Sequence, residues 1–325
     1  MDLTVKISDC IFDHPIMNAS GPKCTNKEEL MDLLFSDSSA IVSKSCTRES
    51  RKGNDFPRYY DNKYLSINSM GLPNHGYKYY IDLIDNLSCS ISKPYIISIA
   101  GLCLTDNIFI INEISKKIDS LPEEKKIGIE INLSCPNIIN KGQLAYDFFN
   151  MDIYLNSLFE NINIYNFKMI GIKLPPYFEL HQFKIVADII KKYPIDFITT
   201  INSIGNGLVL DYKNEKPEIV PKEGLGGLGG SIVKPTGLSN VFNFAKQFVN
   251  TNIKIIGVGG IEKGSDVFEY LLAGASAVQV GTHYYRQGMI CFTDLKNELI
   301  EIMNQKKYNK LNDFKGKLVY NEVFM

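Results

Sequence analysis

The chain has 325 residues, 45% of them hydrophobic and 22% charged, with a formal net charge of -1. That length can bury a sizeable core, and the near-neutral balance excludes the basic surplus that a nucleic-acid-binding face requires. Seven scattered cysteines with no C-x-x-C pair argue against a disulfide framework or structural zinc and for a reducing, intracellular compartment.

The N-terminal "MDLTVKISDCIFDHP" lacks a hydrophobic signal core. No stretch approaches the roughly 20 apolar residues of a membrane span, so a cytoplasmic protein without membrane contact is expected. Short, β-rich apolar runs then alternate with segments of helical period. Strands are predicted at 15–20, 40–45, 94–100 and 127–133, followed by 169–174, 196–202, 254–259 and 277–282. Runs apolar on both faces suit a buried parallel sheet.

Between them, Thr25 and Glu28 form a capping-box pattern ahead of "ELMDLLF". "TDNIFIINEISKKI", "LHQFKIVADIIKKY" and "SDVFEYLLAGA" place apolar residues at helical spacing. Eight alternations predict an α/β fold, a closed (β/α)8 TIM barrel over residues 1–325 as a single domain. A doubly wound open sheet is the alternative, but the early G-x-G-x-x-G it would want is absent. Residues 46–80 and 203–235, the latter containing "EGLGGLGG", are too long for βα loops. Both follow a strand, so they read as excursions covering the C-terminal face, where barrels build active sites.

Polar or small residues close each predicted strand: Ser20-Gly21, Lys44-Ser45, Ala100-Gly101, Asn132, Lys173, Asn202-Ser203, Gly259-Gly260 and Gly281-Thr282. A barrel brings them to one rim. Two lysines there would be costly without an anionic partner, although a single rim lysine can simply reach solvent. Glycine pairs after the seventh and eighth strands let backbone N–H groups approach phosphate oxygens, although they also serve ordinary turns. Lysines, amides and a phosphate site together suit flavin mononucleotide. Cys135 stands in "NLSCPN", just past a rim strand and between two asparagines. A free cysteine is usually inert filler. In this setting, a thiol of ordinary pKa near 8.5 is expected to act as a base toward a weakly acidic C–H. Cys103 and Cys291 read as core or helix-packing residues, and the four histidines form no ligand spacing, so no metal site is expected.

"MNASG", "SKS", "NSMGLPN", "NLSCPN", "GIKLPPYF", "NSIGNGL", "GGLGG" with "VKPTGL", "GVGGI" and "VGT" resemble the dihydroorotate dehydrogenase family, and most closely its soluble class 1A branch. They occur in the family's order from about residue 17 to 282. The resemblance implies an FMN-containing barrel that oxidises dihydroorotate to orotate in pyrimidine biosynthesis. It implies Cys135 as the base. Lys44, Asn68, Asn132, Asn137, Asn202 and Ser203 would hold the substrate, with the backbone of Met70, Gly71 and Leu72 receiving its carboxylate. Ser20, Lys44, Ser45, Asn132, Lys173, Ile201, Gly230, Gly259, Gly260, Gly281 and Thr282 would hold FMN. Class 1A implies a homodimer with fumarate as electron acceptor. Quinone-linked relatives carry an N-terminal extension and a serine at the position of Cys135, and this chain begins almost directly at the first strand. The alternatives are the same oxidation with NAD as acceptor through a partner subunit, or a non-catalytic flavin-binding barrel.

Overall fold

The computed structural model describes residues 1–88, 93–121, 126–134 and 142–319. Eight parallel strands form the central sheet: β1 (Ile16–Asn18), β2 (Ile41–Val42), β3 (Tyr95–Ile99) and β4 (Ile127–Asn132), then β5 (Met169–Leu174), β6 (Phe197–Thr200), β7 (Lys254–Val258) and β8 (Ala277–Val280). Every predicted strand is present: 169–174 is observed with the same bounds, and the others are shortened at one or both ends. Their order around the sheet follows the chain, with β8 returning beside β1. Each strand is buried almost throughout, because helices cover its outer face and side chains fill the barrel. This double burial produces continuous Ile, Val and Leu runs rather than an alternating pattern.

Between β1 and β2 there is no strand ladder, and the barrel is closed there by side chains. Asn18 donates from Nδ2 to the Val42 carbonyl at 2.7 Å and accepts the Val42 amide on Oδ1 at 2.8 Å. The Ser39 amide and hydroxyl both donate to the Ile16 carbonyl, at 2.9 and 2.8 Å. One buried amide side chain thus replaces a missing pair of backbone bonds. At the opposite, N-terminal end, a hairpin of Val5–Ile7 and Cys10–Phe12 presses its inward residues against the core.

The first outer helix is Lys27–Phe35, and its cap differs from expectation. Asn26, not Thr25, is the N-cap, accepting the Glu29 amide at 2.9 Å, while the Glu29 carboxylate takes the Thr25 amide at 2.6 Å. Asparagine caps better than threonine, and starting one residue later turns Leu30, Leu33 and Leu34 into the core. Further outer helices run over Leu104–Asp119, Phe148–Glu160, Leu180–Ile190, Lys234–Gln247, Gly264–Leu272 and Ile290–Gln305. Cys291 is buried as expected, but Cys103 is exposed. It occupies the N-cap position of Leu104–Asp119, so it faces outward from the rim rather than into the core.

The two excursions meet. Tyr59–Asp61 and Ser66–Asn68 from the first join Ile204–Leu208 and Leu225–Gly229 from the second in one antiparallel sheet above the C-terminal rim. The glycine-rich run reads poorly as a strand from propensity alone. Its glycines serve close approach: a Cβ on Gly226 would stand 2.6 Å from the Asn68 carbonyl oxygen.

Candidate active site

Beneath that sheet lies a cleft, open on one side, whose floor and walls are the carboxyl ends of the barrel strands. Except for two, every substrate, cofactor or catalytic candidate from the sequence lines it, from Ser20 and Lys44 just past the first strands to Gly281 and Thr282 just past the last. Cys135 and Asn137 lie outside the described residues. Ser134, the last described residue before them, is fully buried on the rim.

The rim amides are held in fixed orientations. Asn132 accepts from the Ser134 amide at 3.1 Å and hydroxyl at 3.2 Å, while its Nδ2 donates to Ser45 Oγ at 3.3 Å. Ser45 continues the chain to the hydroxyls of Ser98, at 2.9 Å, and Ser20, at 3.1 Å. Asn202 donates to the Ser134 carbonyl at 2.9 Å and accepts the Ser203 amide on Oδ1 at 2.8 Å. Such a network locks which face each amide offers to the cavity.

The two lysines differ. Lys44 donates to the Gly21 carbonyl at 2.8 Å. Lys173 is only 4% exposed, and its ammonium makes no hydrogen bond or ion pair among the described residues. A buried, unmatched ammonium facing a cavity is suited to an electron-rich ligand.

Residues 70–72 form a concave stretch of backbone. The Met70 carbonyl accepts the Asn54 amide at 2.9 Å, the Gly71 carbonyl accepts Arg51 Nε at 3.3 Å, and the Leu72 carbonyl accepts Asn74 Nδ2 at 2.8 Å. Gly71 and Leu72 both have positive φ, 71° and 57°. With every carbonyl tied back, the N–H groups are left for the cavity, a geometry that attracts anions. A second amide cluster lies across the cleft. The amides of Gly259, Gly260 and Gly281 have no acceptor among the described residues. A Cβ on Gly260 would meet Lys234 Cβ at 2.7 Å and the Gly230 carbonyl at 3.0 Å, so only glycine permits this approach.

Arg286 holds the roof to the barrel, donating to Asp61 at 3.0 Å, Glu262 at 2.8 Å and the Asn62 carbonyl at 2.6 Å. Burial pushes the Cys24 thiol up to about 11 and those of Cys10, Cys46 and Cys291 to about 12. These four stay protonated at neutral pH and are unsuited to act as bases. Burial also lowers the pKa of His283, which lines the cleft. Among the described residues, no group of three or more His, Cys, Asp or Glu is placed to hold a metal ion. No helix among them is long and apolar enough to cross a membrane.

Sequence reading missed two polar residues within apolar strands. Glu130 on β4 and Gln279 on β8 are both fully buried. Glu130 Oε2 accepts from Thr199 Oγ1 at 2.7 Å and from Gln279 Nε2 at 2.8 Å. The available signal was a carboxylate in "KIGIEI" and an amide in "AVQVGT", each at a mid-strand position that should otherwise be aliphatic.

Fold and cavity define a (β/α)8 barrel protein with a cleft at the carboxyl rim, roofed by paired insertions. The family model described as dihydroorotate dehydrogenase matches residues 2–303, and the chain belongs to that family. A protein of Streptococcus pyogenes serotype M1 named putative dihydroorotate dehydrogenase A (fumarate) is 45% identical over 312 residues, covering 96% of each chain. A like-named protein of Streptococcus agalactiae serotype Ia is 44% identical over 321 residues, covering 98% of this chain and 99% of its own. The ligand-free DHODH structure from Eimeria tenella superposes with a TM-score of 0.76 at 21% identity, over 97% of this chain and 91% of that one. This last likeness speaks to the fold.

Proposed function

We propose that the chain oxidises dihydroorotate to orotate with bound FMN and passes the electrons to fumarate. What carries the reading is the convergence, in one cleft, of two anion-seeking backbone clusters with an unmatched ammonium between strand ends. The streptococcal relatives named dihydroorotate dehydrogenase A (fumarate) support the substrate pair.

The residues fit a flavin nucleotide. Gly230, Gly259, Gly260, Gly281 and Thr282 would hold its phosphate through unpaired amides, and Lys173 would face the electron-rich edge of its ring. Ser20, Lys44, Ser45, Asn132 and Ile201 would complete the seat. When bound, FMN supplies the two-electron acceptor that takes a hydride from the substrate. In this reading the chain does the rest. The N–H groups of Met70 to Leu72 bind the substrate carboxylate, and Asn68, Asn132, Asn137, Asn202 and Ser203 orient the ring through paired donors and acceptors. The thiolate of Cys135 accepts the proton from the ring carbon adjacent to the hydride donor. Fumarate, itself a carboxylate, uses the same backbone seat, and its reduction to succinate takes up the two hydrogens that the first substrate lost. We further propose a cytoplasmic homodimer.

The test is anaerobic. Purified protein should carry a yellow flavin that bleaches on adding dihydroorotate and recovers its colour with fumarate but not with NAD. A flavin that never bleaches would refute the substrate, and recovery with NAD alone would refute the acceptor.

A further inference from the structure

The polar pair missed in the sequence constrains the cavity. The Gln279 amide meets Glu130 through its nitrogen, Nε2 donating to the acceptor oxygen Oε2 at 2.8 Å. Its oxygen is thereby turned away from Glu130, and Gln279 lines the cleft. That oxygen is buried and has no hydrogen-bond partner. Thr199 donates to the same carboxylate oxygen from the neighbouring strand at 2.7 Å, fixing the carboxylate in place. A buried acceptor left unpaired costs about 1–3 kcal/mol, and a donor entering from the cavity would relieve it.

We infer that Gln279 is a ligand-binding residue and Glu130 its positioning residue: together they present one fixed acceptor to a hydroxyl of the bound cofactor. The inference rests on the flavin reading above. Gln279 stands two residues before Gly281, where the phosphate would be held, on the strand beside β7, which leads into Gly259 and Gly260. The part of the nucleotide that follows its phosphate is the polyhydroxylated chain, so a chain hydroxyl is the donor matched to this oxygen. Glu130 does not line the cleft and acts only through the amide it holds. With glutamine at position 130, nothing would force the orientation, and the amide of Gln279 could turn its N–H groups to the cavity instead.

The experiment uses the full-length protein, stripped of flavin and titrated with FMN by fluorescence quenching. Circular dichroism of each variant checks that it folds. Gln279→Met keeps the volume and should weaken FMN roughly tenfold, the scale of one buried hydrogen bond. Glu130→Gln should weaken it by a smaller factor. In the double variant, Glu130→Gln should add nothing further, because its effect passes through Gln279. An FMN analogue whose five-carbon chain carries no hydroxyls should bind wild type and Gln279→Met equally. Unchanged FMN affinity in Gln279→Met, or the same weakening with the hydroxyl-free analogue, would overturn the inference. So would additive losses in the double variant. Wild-type protein that binds no FMN would instead remove the flavin reading itself, and this inference with it.

Discussion

His14 immediately precedes β1, is 6% exposed, and accepts the Ile16 amide on Nδ1 at 3.3 Å. Burial, reinforced by Lys296, lowers its pKa to about 4, against the opposing pull of Asp37 and Asp13. The folded protein therefore holds this imidazole neutral where the unfolded chain, near 6.5, would protonate it. Its stabilising contribution is complete above about pH 6.5 and is lost as pH falls toward 4, on the order of 3 kcal/mol. Comparing urea midpoints across pH 7 to 4, His14→Gln should lose less stability than wild type over that window. Parallel curves would refute this. Cys135 poses a different question at the same scale. Cys135→Ala should retain bound flavin and lose most turnover, because only the proton acceptor is removed. Normal turnover in that variant would disqualify the thiol as the base.

At the scale of elements, the barrel depends on a seam that its strands do not close. Asn18 bridges β1 and β2 from a fully buried position. Replacing it by leucine preserves much of the volume but strands the Val42 N–H and C=O without partners. A loss of about 2–4 kcal/mol is expected, read as a fall of several degrees in Tm. Asn18→Asp should not rescue it, because a carboxylate oxygen in place of Nδ2 would face the Val42 carbonyl with no hydrogen to donate. Equal stability of Asn18→Leu and wild type would show that the seam is held by packing alone. The sequence displayed the eight strands plainly, because burial on both faces leaves continuous apolar runs. It could not display the seam, since one asparagine in "IMNAS" looks like a turn residue. Nor did it display the shared roof sheet, whose glycines suit close backbone contact but carry no strand propensity. The cleft itself was legible because rim residues end strands, where a polar side chain interrupts an apolar run. Glu130 and Gln279 interrupt their runs from within, and pattern reading absorbed them into the strand.

For the whole molecule, the roof leaves apolar side chains exposed. Leu208 is 51% exposed, Leu210 58%, Tyr212 81% and Val220 56%, all on the hairpin of the second excursion or just beyond it. A grouping of this kind is what a second copy would cover. Sedimentation should give twice the 36.7 kDa chain mass, and Leu210→Asp should shift it toward one. A wild-type mass of a single chain would refute the homodimer.

The roof also sets an order of events in the life of the chain. Asn68 meets Gly227 across 159 positions, and Arg286 reaches Asp61 across 225. Contacts so distant along the chain form late, after the entropy of closing the intervening loop has been overcome. Residues 46–80 leave the ribosome long before their partners exist, so they must wait until the C-terminal helices have emerged. Refolded protein should accordingly regain its far-UV dichroism before it regains the ability to quench added FMN. Simultaneous recovery would show that these long-range contacts form together with the local helices. The chain thus acquires its ligand only after almost all of it has been made.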